Sequence, residues 1–147
     1  ASNIVFLIKE AIKNANIPAN IYLNTYYAES LPLVKVNRFF VEVFLEIIAN
    51  AIEAMENSDS KILTIRTDYD DNWITVAFTD TGIGIPDSEK DRIFELLSHP
   101  SSENKKKHHL GFGLWWIRTF LRDIGGNIEV ESQPGTGTTF TVRLPRG

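Results

Sequence analysis

Apolar residues recur at spacings of three and four through Ile4, Val5, Ile8, Ala11 and Ile12, and this period predicts a helix over residues 2–15. Asn16-Ile17-Pro18 stops it, because proline cannot continue a helix. Ile21-Tyr22-Leu23 and Leu33-Val34-Lys35-Val36 read as short strands separated by Pro32. Asn37 is a candidate cap for a long helix with Phe40, Val43, Phe44, Ile47, Ile48, Ala51, Ala54 and Met55 on its apolar face. Asn57-Ser58-Asp59-Ser60 ends that helix. Alternating segments over 62–67 and 73–79, joined by Asp68-Tyr69-Asp70-Asp71-Asn72, predict a hairpin. Residues 86–97 predict a short helix with Ile93, Phe94 and Leu97. The stretch 98–110, SHPSSENKKKHHL, has no periodicity and reads as a long loop. A helix over 114–124 ends at Gly125-Gly126. Residues 128–130 and 138–144 are the last strands, joined by Ser132-Gln133-Pro134-Gly135-Thr136-Gly137. Helices and strands alternate but hairpins are also present. That order predicts a mixed sheet with helices on one face, an α/β (α+β) architecture.

Composition narrows the class. The chain has 147 residues, 43% hydrophobic and 23% charged, which is enough for one domain with its own core. No apolar run approaches the ~20 residues of a membrane span, and the start, ASNIVFLIKE, lacks a signal-peptide pattern. The absence of Cys excludes disulfides and thiolate metal sites and fits a cytoplasmic chain. A net charge of -4 argues against nucleic-acid binding. The exception is a basic island, Lys105-Lys106-Lys107-His108-His109.

Three stretches could carry chemistry. On the long helix Glu46 and Asn50 are four residues apart and share a face, with Glu53 beside them. They are either the polar flank of an amphipathic helix or a hard-cation site, since an amide oxygen and a carboxylate suit Mg²⁺ with substrate phosphates. The second stretch is FTDTGIGI, residues 78–85, in which a strand ends on Asp80 and two glycines follow. Asp80 and the glycines are ordinary turn residues, or the acid accepts a hydrogen bond from an exocyclic amine such as that of adenine. In the latter case Gly82 and Gly84 let backbone approach a flat ring and Ile83 and Ile85 pack on it. The third, Gly111-Phe112-Gly113-Leu114, opens a helix after the basic loop. It is either a hinge or a phosphate-holding helix N-terminus.

The order of these stretches, with GTGTTF (135–140) on the terminal strand, closely resembles the ATP-binding domain of the superfamily of sensor histidine kinases, DNA gyrase and related ATPases. The ending GTGTTFTVRLP (135–145) and NAIEAM (50–55) look most like histidine kinases, and the resemblance runs from about Ile4 to Pro145. It implies a two-layer Bergerat-type fold with a sheet of about five strands, one domain over 1–147, and an ATP lid over 96–113. Implied cofactors are ATP and Mg²⁺. By resemblance, Asn50 is the Mg²⁺ ligand and Asp80 binds the adenine amine. Gly82 and Gly84 shape the pocket, Ile85 lines it, and Phe94 anchors the lid. Gly111, Gly113 and Leu114 lie beside the triphosphate, and Thr138 supports the adenine site. Glu46 falls where hydrolysing members carry a catalytic glutamate. It is a general base or only a neighbour of the magnesium.

Several positions depart from the family pattern. Glu95 is followed by Leu96-Leu97-Ser98-His99-Pro100 where a lid lysine is expected, a role left to Lys105, Lys106 or Lys107, and His109 stands where kinases commonly have glycine. None of His99, His108 and His109 sits in a phosphoacceptor box. The resemblance therefore implies transfer of the γ-phosphoryl group to a histidine on a separate helical hairpin. That hairpin is expected in the same full-length protein, for which the resemblance allows a membrane anchor, with a response regulator acting downstream. No membrane contact is expected from this chain. Two alternatives stay open: a serine kinase of the anti-sigma-factor type, and a nucleotide-binding domain without chemistry.

Overall fold

In the computed structural model, residues 3–95 and 113–146 are described. Helix α1 (Ile4–Ala15) is capped by Asn3, whose side chain accepts the Val5 N–H, and it buries Ile4, Leu7, Ile8 and Ala11. Strand β1 (Tyr22–Tyr26) follows. Helix α2 (Phe39–Ala54) buries the apolar face read from the sequence. Asn37 does cap it: its side-chain oxygen accepts the Phe39 N–H at 2.8 Å. Strands β2 (Ile62–Tyr69) and β3 (Trp73–Asp80) form the expected hairpin. The Asp70 carboxylate closes its turn by accepting the N–H groups of Asn72 and Trp73, both at 2.8 Å. Helix α3 (Asp87–Lys90) is followed by α4 (Leu114–Asp123), β4 (Asn127–Gln133) and β5 (Gly137–Pro145). Gly125, at φ +83°, ends α4 while its N–H bonds Arg122 O and that of Gly126 bonds Leu121 O. Such a doubly bonded left-handed stop satisfies carbonyls that the helix cannot.

The strand order is β1-β2-β3-β5-β4, with β1 parallel to β2 and every other pair antiparallel. Helix α2 makes the crossover that parallel pairing requires. One face alternates Leu63, Ile65, Ile74, Val76, Phe78, Ile128, Phe140, Val142 and Leu144 into the core. Phe44 of α2 packs on Phe78 at 5.7 Å between ring centroids, and Phe120 of α4 on Phe40 at 5.2 Å. Each fully buried side chain of this size contributes roughly 1.5–3 kcal/mol. The opposite face is polar, with Thr79 and Thr139 hydroxyls 2.9 Å apart and Arg66 over the Tyr26 ring.

Two expectations fail. Residues 33–36 are not a continuous strand: only Val34 forms a bridge, and it is buried while Leu33 is 60% exposed. The helix expected over 86–97 is one turn, Asp87–Lys90, none of it buried, followed by turns to residue 95. The N–H groups of Arg92 and Glu95 bond three residues back, to Glu89 and Arg92. That tighter winding carries Phe94 onto β5 and is not sustained over long runs.

The start of β5 shows how closely neighbouring strands meet. Gly137 sits at φ +146°, and a Cβ there would collide with the carbonyl of Asp80. Gly135 has φ +83° with open space where its Cβ would be. Gly137→Ala therefore costs about 3 kcal/mol or more through both strain and clash, whereas Gly135→Ala costs about 1–2 kcal/mol from backbone strain alone. Urea unfolding of the two variants against the wild type measures that difference.

Candidate functional site

Apart from Thr67 of β2, whose hydroxyl accepts the Ala28 N–H, the inner face of the sheet is apolar except at one end. Register places Phe78 beside Phe140 and Val130, and the next row places Asp80 beside Thr138 and Ser132. All three are buried, Asp80 and Thr138 at 4% exposure and Ser132 at 9%. Alternation alone puts them there, since side chains two apart on a strand share a face. The row is thus a polar margin to an apolar core, which is where an apolar ring with a polar edge can be received.

Asp80 Oδ1 accepts the Gly82 N–H at 2.8 Å. Burial raises the Asp80 pKa from the usual 3.8 to about 6, against the lowering effect of the backbone N–H groups of Gly82 and Thr138. A buried carboxylate is costly unless its lone pairs are satisfied, and an incoming N–H donor would satisfy it.

The loop after Asp80 is held on both sides. The Ile83 N–H bonds Ala54 O at 3.1 Å at the end of α2, and Ile83 O accepts the Gly135 N–H at 2.7 Å. The Ile85 N–H bonds Ser132 Oγ at 2.7 Å. A Cβ at Gly82 would lie 2.5 Å from Ala54 O, and one at Gly84, which has φ +76°, would strike Gln133 O. Both glycines are thus required by the chain's own backbone. They shape the loop through that approach, a reason that differs from the expected clearance for a ring. Ile85 is half-buried against the core, whereas Ile83 is 64% exposed and turns away from it.

The contact with Ala54 ties this loop to α2. Ala54, Asn50 and Glu46 follow one another at intervals of four, so they line one helix face. Asn50 stands one turn, about 6 Å along the axis, before the residue that touches the loop. Asn50 is half-buried, and Glu46, another turn back, is buried at 2% exposure. The fold thus links the α2 face that bears Glu46, Asn50 and Ala54, through the Ala54–Ile83 contact, to the loop of Gly82, Gly84 and Ile85 that follows the Asp80–Thr138 row. Phe94 packs edge-on against Phe140 of β5 at 6.4 Å, with the Arg118 guanidinium of α4 5.1 Å from its ring centre. This stack orients α4, which Gly113 (φ +56°) and the buried Leu114 open. Gly111, Lys105, Lys106, Lys107, His99, His108 and His109 lie outside the described residues.

Ser132 was not singled out by the sequence, where it reads as part of a turn. Its Oγ accepts from Ile85, donates to Gly137 O at 3.0 Å and lies 2.9 Å from Thr138 Oγ1. Its carbonyl accepts from Lys90 Nζ at 2.6 Å, and Lys90 also pairs with Asp87 at 2.8 Å. The available signal was its parity with Val130 and Ile128, which places it on the inward face. A separate cavity of about 660 Å³, bounded by Ala15, Pro18, Ile21, Ala49, Ile52 and Met55 among others, is lined by Glu53 but by none of the other candidate residues.

Residues 35–147 match the family described as histidine kinase-, DNA gyrase B-, and HSP90-like ATPases. The chain belongs to this ATPase family. Among its relatives, the Escherichia coli K12 sensor protein EvgS is 30% identical over 116 residues, which are 77% of this chain and 10% of EvgS. The adaptive-response sensory kinase SasA of Prochlorococcus marinus is 33% identical over 127 residues, 84% of this chain and 32% of SasA. The chain therefore spans a minor part of the relatives it matches. The catalytic domain of histidine kinase ThkA superposes with a TM-score of 0.79 at 23% identity, covering 99% of this chain and 93% of that domain. The mycobacterial sensor histidine kinase MprB gives 0.78 at 20% identity, covering 98% and 96%. Those two likenesses establish the fold. This ATPase-family chain is the ATP-binding catalytic domain of the kind that sensor histidine kinases carry. Among its described residues no helix is long and apolar enough to cross a membrane.

The raised pKa of Asp80 has a signed consequence. Between about pH 4 and 6 the folded state holds a proton that the unfolded state has released, so this group's stabilisation is lost as pH rises through that window. Asp80→Asn keeps an oxygen acceptor and removes the charge. The gap in unfolding free energy between the variant and the wild type should widen in favour of the variant by up to about 3 kcal/mol from pH 4 to pH 7. Chemical denaturation of the ligand-free proteins at both pH values measures it.

Proposed function

We propose that the chain binds Mg·ATP and moves the γ-phosphoryl group to a histidine on a helical hairpin outside it, in two-component signalling. The observation that carries this reading is the buried Asp80–Thr138 row, with the α2 face of Glu46 and Asn50 joined to it through Gly82. Asp80 accepts the exocyclic amine of adenine, and Ile85 with the 81–85 loop covers the ring. The triphosphate then runs along α2 toward the start of α4, where Gly113 leaves backbone N–H groups without a side-chain cap.

Magnesium fits this arrangement in one specific way. Among the described residues no three acidic or histidine side chains converge, so the protein alone offers no cage. Asn50 Oδ1 would supply one oxygen and the phosphates the rest, the pattern Mg²⁺ favours. Bound there, the ion would neutralise charge on the phosphates.

In the transfer, a nitrogen of the acceptor histidine bonds the γ-phosphorus as the bond to the β–γ bridging oxygen breaks and ADP leaves. The domain acts through positioning and charge. Glu46, buried one turn from Asn50, is the candidate general base that orients the incoming imidazole. The response regulator then takes the phosphoryl group from the hairpin.

Calorimetric titration with Mg·ATP and Mg·ADP tests the binding half. Wild type should bind both. Asp80→Asn should weaken both by roughly 1–3 kcal/mol, because an unmatched amide then faces the adenine amine. Equal binding by the variant, or none by the wild type, rules out the adenine assignment. For the chemical half, Glu46→Gln should slow labelling of a cognate hairpin by about 10²–10⁴-fold with ATP affinity little changed. An unchanged rate would reduce Glu46 to a neighbour of the metal.

A further inference from the structure

Ser132 Oγ has one hydrogen and three polar neighbours. It must accept from the Ile85 N–H, which lies at 2.7 Å and can only donate. Gly137 O, at 3.0 Å, can only accept. Thr138 Oγ1, at 2.9 Å, can do either. A hydroxyl carries one donor and two acceptor lone pairs. If the Ser132 proton goes to Gly137 O, the second lone pair of Ser132 is open to Thr138, and Thr138 donates into it. The Thr138 proton is then committed inside the protein, and only its lone pairs remain for the pocket beside Asp80.

We propose that Ser132 is a positioning residue that sets the polarity of the Thr138 hydroxyl, making the Asp80–Thr138 row accept hydrogen bonds only. The inference rests on the adenine reading above and deepens it by naming what selects the base. A row of acceptors takes a base edge bearing an amine and repels one bearing a carbonyl. Adenine carries an amine at that edge and a 6-oxo purine carries an oxygen. Ser132 touches no ligand in this scheme. Through one hydroxyl it fixes the Thr138 rotor and, by the Ile85 N–H, the loop that covers the base. Both ends of the selection are thereby set from β4, the strand next to the one that bears Thr138.

The test compares ATP with inosine triphosphate, whose base has oxygen in place of the amine, in direct binding measurements on the wild type and three variants. Ser132→Ala frees the Thr138 proton to donate to the 6-oxo group. The preference for ATP over inosine triphosphate should fall by about three- to ten-fold, whatever happens to the two affinities together. Thr138→Val, which removes the hydroxyl and keeps the shape, should weaken ATP by a similar factor and leave inosine triphosphate unweakened or slightly tighter. If thermal melting shows that Ser132→Ala does not fold, the Thr138→Val comparison decides alone. Equal weakening of both nucleotides in these variants would mean that Ser132 and Thr138 merely support the loop, and it overturns the proposal. Asp80→Asn separates the two levels. A preference lost in Asp80→Asn but intact in Ser132→Ala leaves the adenine reading standing and overturns this inference alone. A wild type without any preference for ATP overturns both.

Discussion

A carboxylate buried at the end of an apolar sheet face is the constraint around which this end of the molecule is arranged. Asp80 continues the inward series Ile74, Val76 and Phe78, so the pleat that builds the core also takes the acid out of water. Burial drives its pKa up to about 6, and the fold limits that cost with nearby donors. The Gly82 N–H turns back onto the carboxylate, and Thr138 lies across in register. Those contacts need very close backbone approaches. The three glycines at 82, 84 and 137 are where they occur.

From that constraint the remaining geometry follows. Pressing the 81–85 loop against Ala54 fixes it to α2, the helix that carries Asn50 and Glu46 on the face of Ala54. Pressing it against Gln133 and Gly135 fixes it to the β4–β5 turn, with Ser132 and Lys90 as side-chain ties. At the outer end of β3, the Thr81 hydroxyl donates to Ser60 O at 2.7 Å and accepts the Ile62 N–H at 3.0 Å. The loop is thereby bound to β2 as well. A site that keeps a carboxylate charge out of water in the ligand-free state stores instability that a ligand with the matching donor relieves. That is a physical reason for a nucleotide pocket to cost the fold something.

Much of this was legible in the residues. The faces of α1, α2 and α4, the β2–β3 hairpin and the mixed sheet all follow from local period and turn chemistry. The acid at the end of β3 stood out because it interrupts an apolar strand. The illegible parts depend on contacts distant in sequence. The reason for Gly82 and Gly84 lies in carbonyls at 54 and 133. The weight on Ser132 comes from three partners on separate segments. Residues 33–36 pair only through the single bridge at Val34, and α3 shortened because nothing buries a face of it. Periodicity reports which way a side chain points, but it does not report what backbone will be met there.

The central claim is that the Asp80 carboxylate is held poised by burial until a nucleotide amine donates to it. The most direct measurement is an NMR titration of the Asp80 carboxyl carbon, from about pH 3 to about pH 8, in ligand-free protein and in protein saturated with Mg·ATP. The account predicts a midpoint of about 6 in the free protein and a clear fall when ATP is bound, because a hydrogen bond to the charged form favours that form. A free-state midpoint at the usual 3.8, or a midpoint that ATP leaves in place, would contradict it.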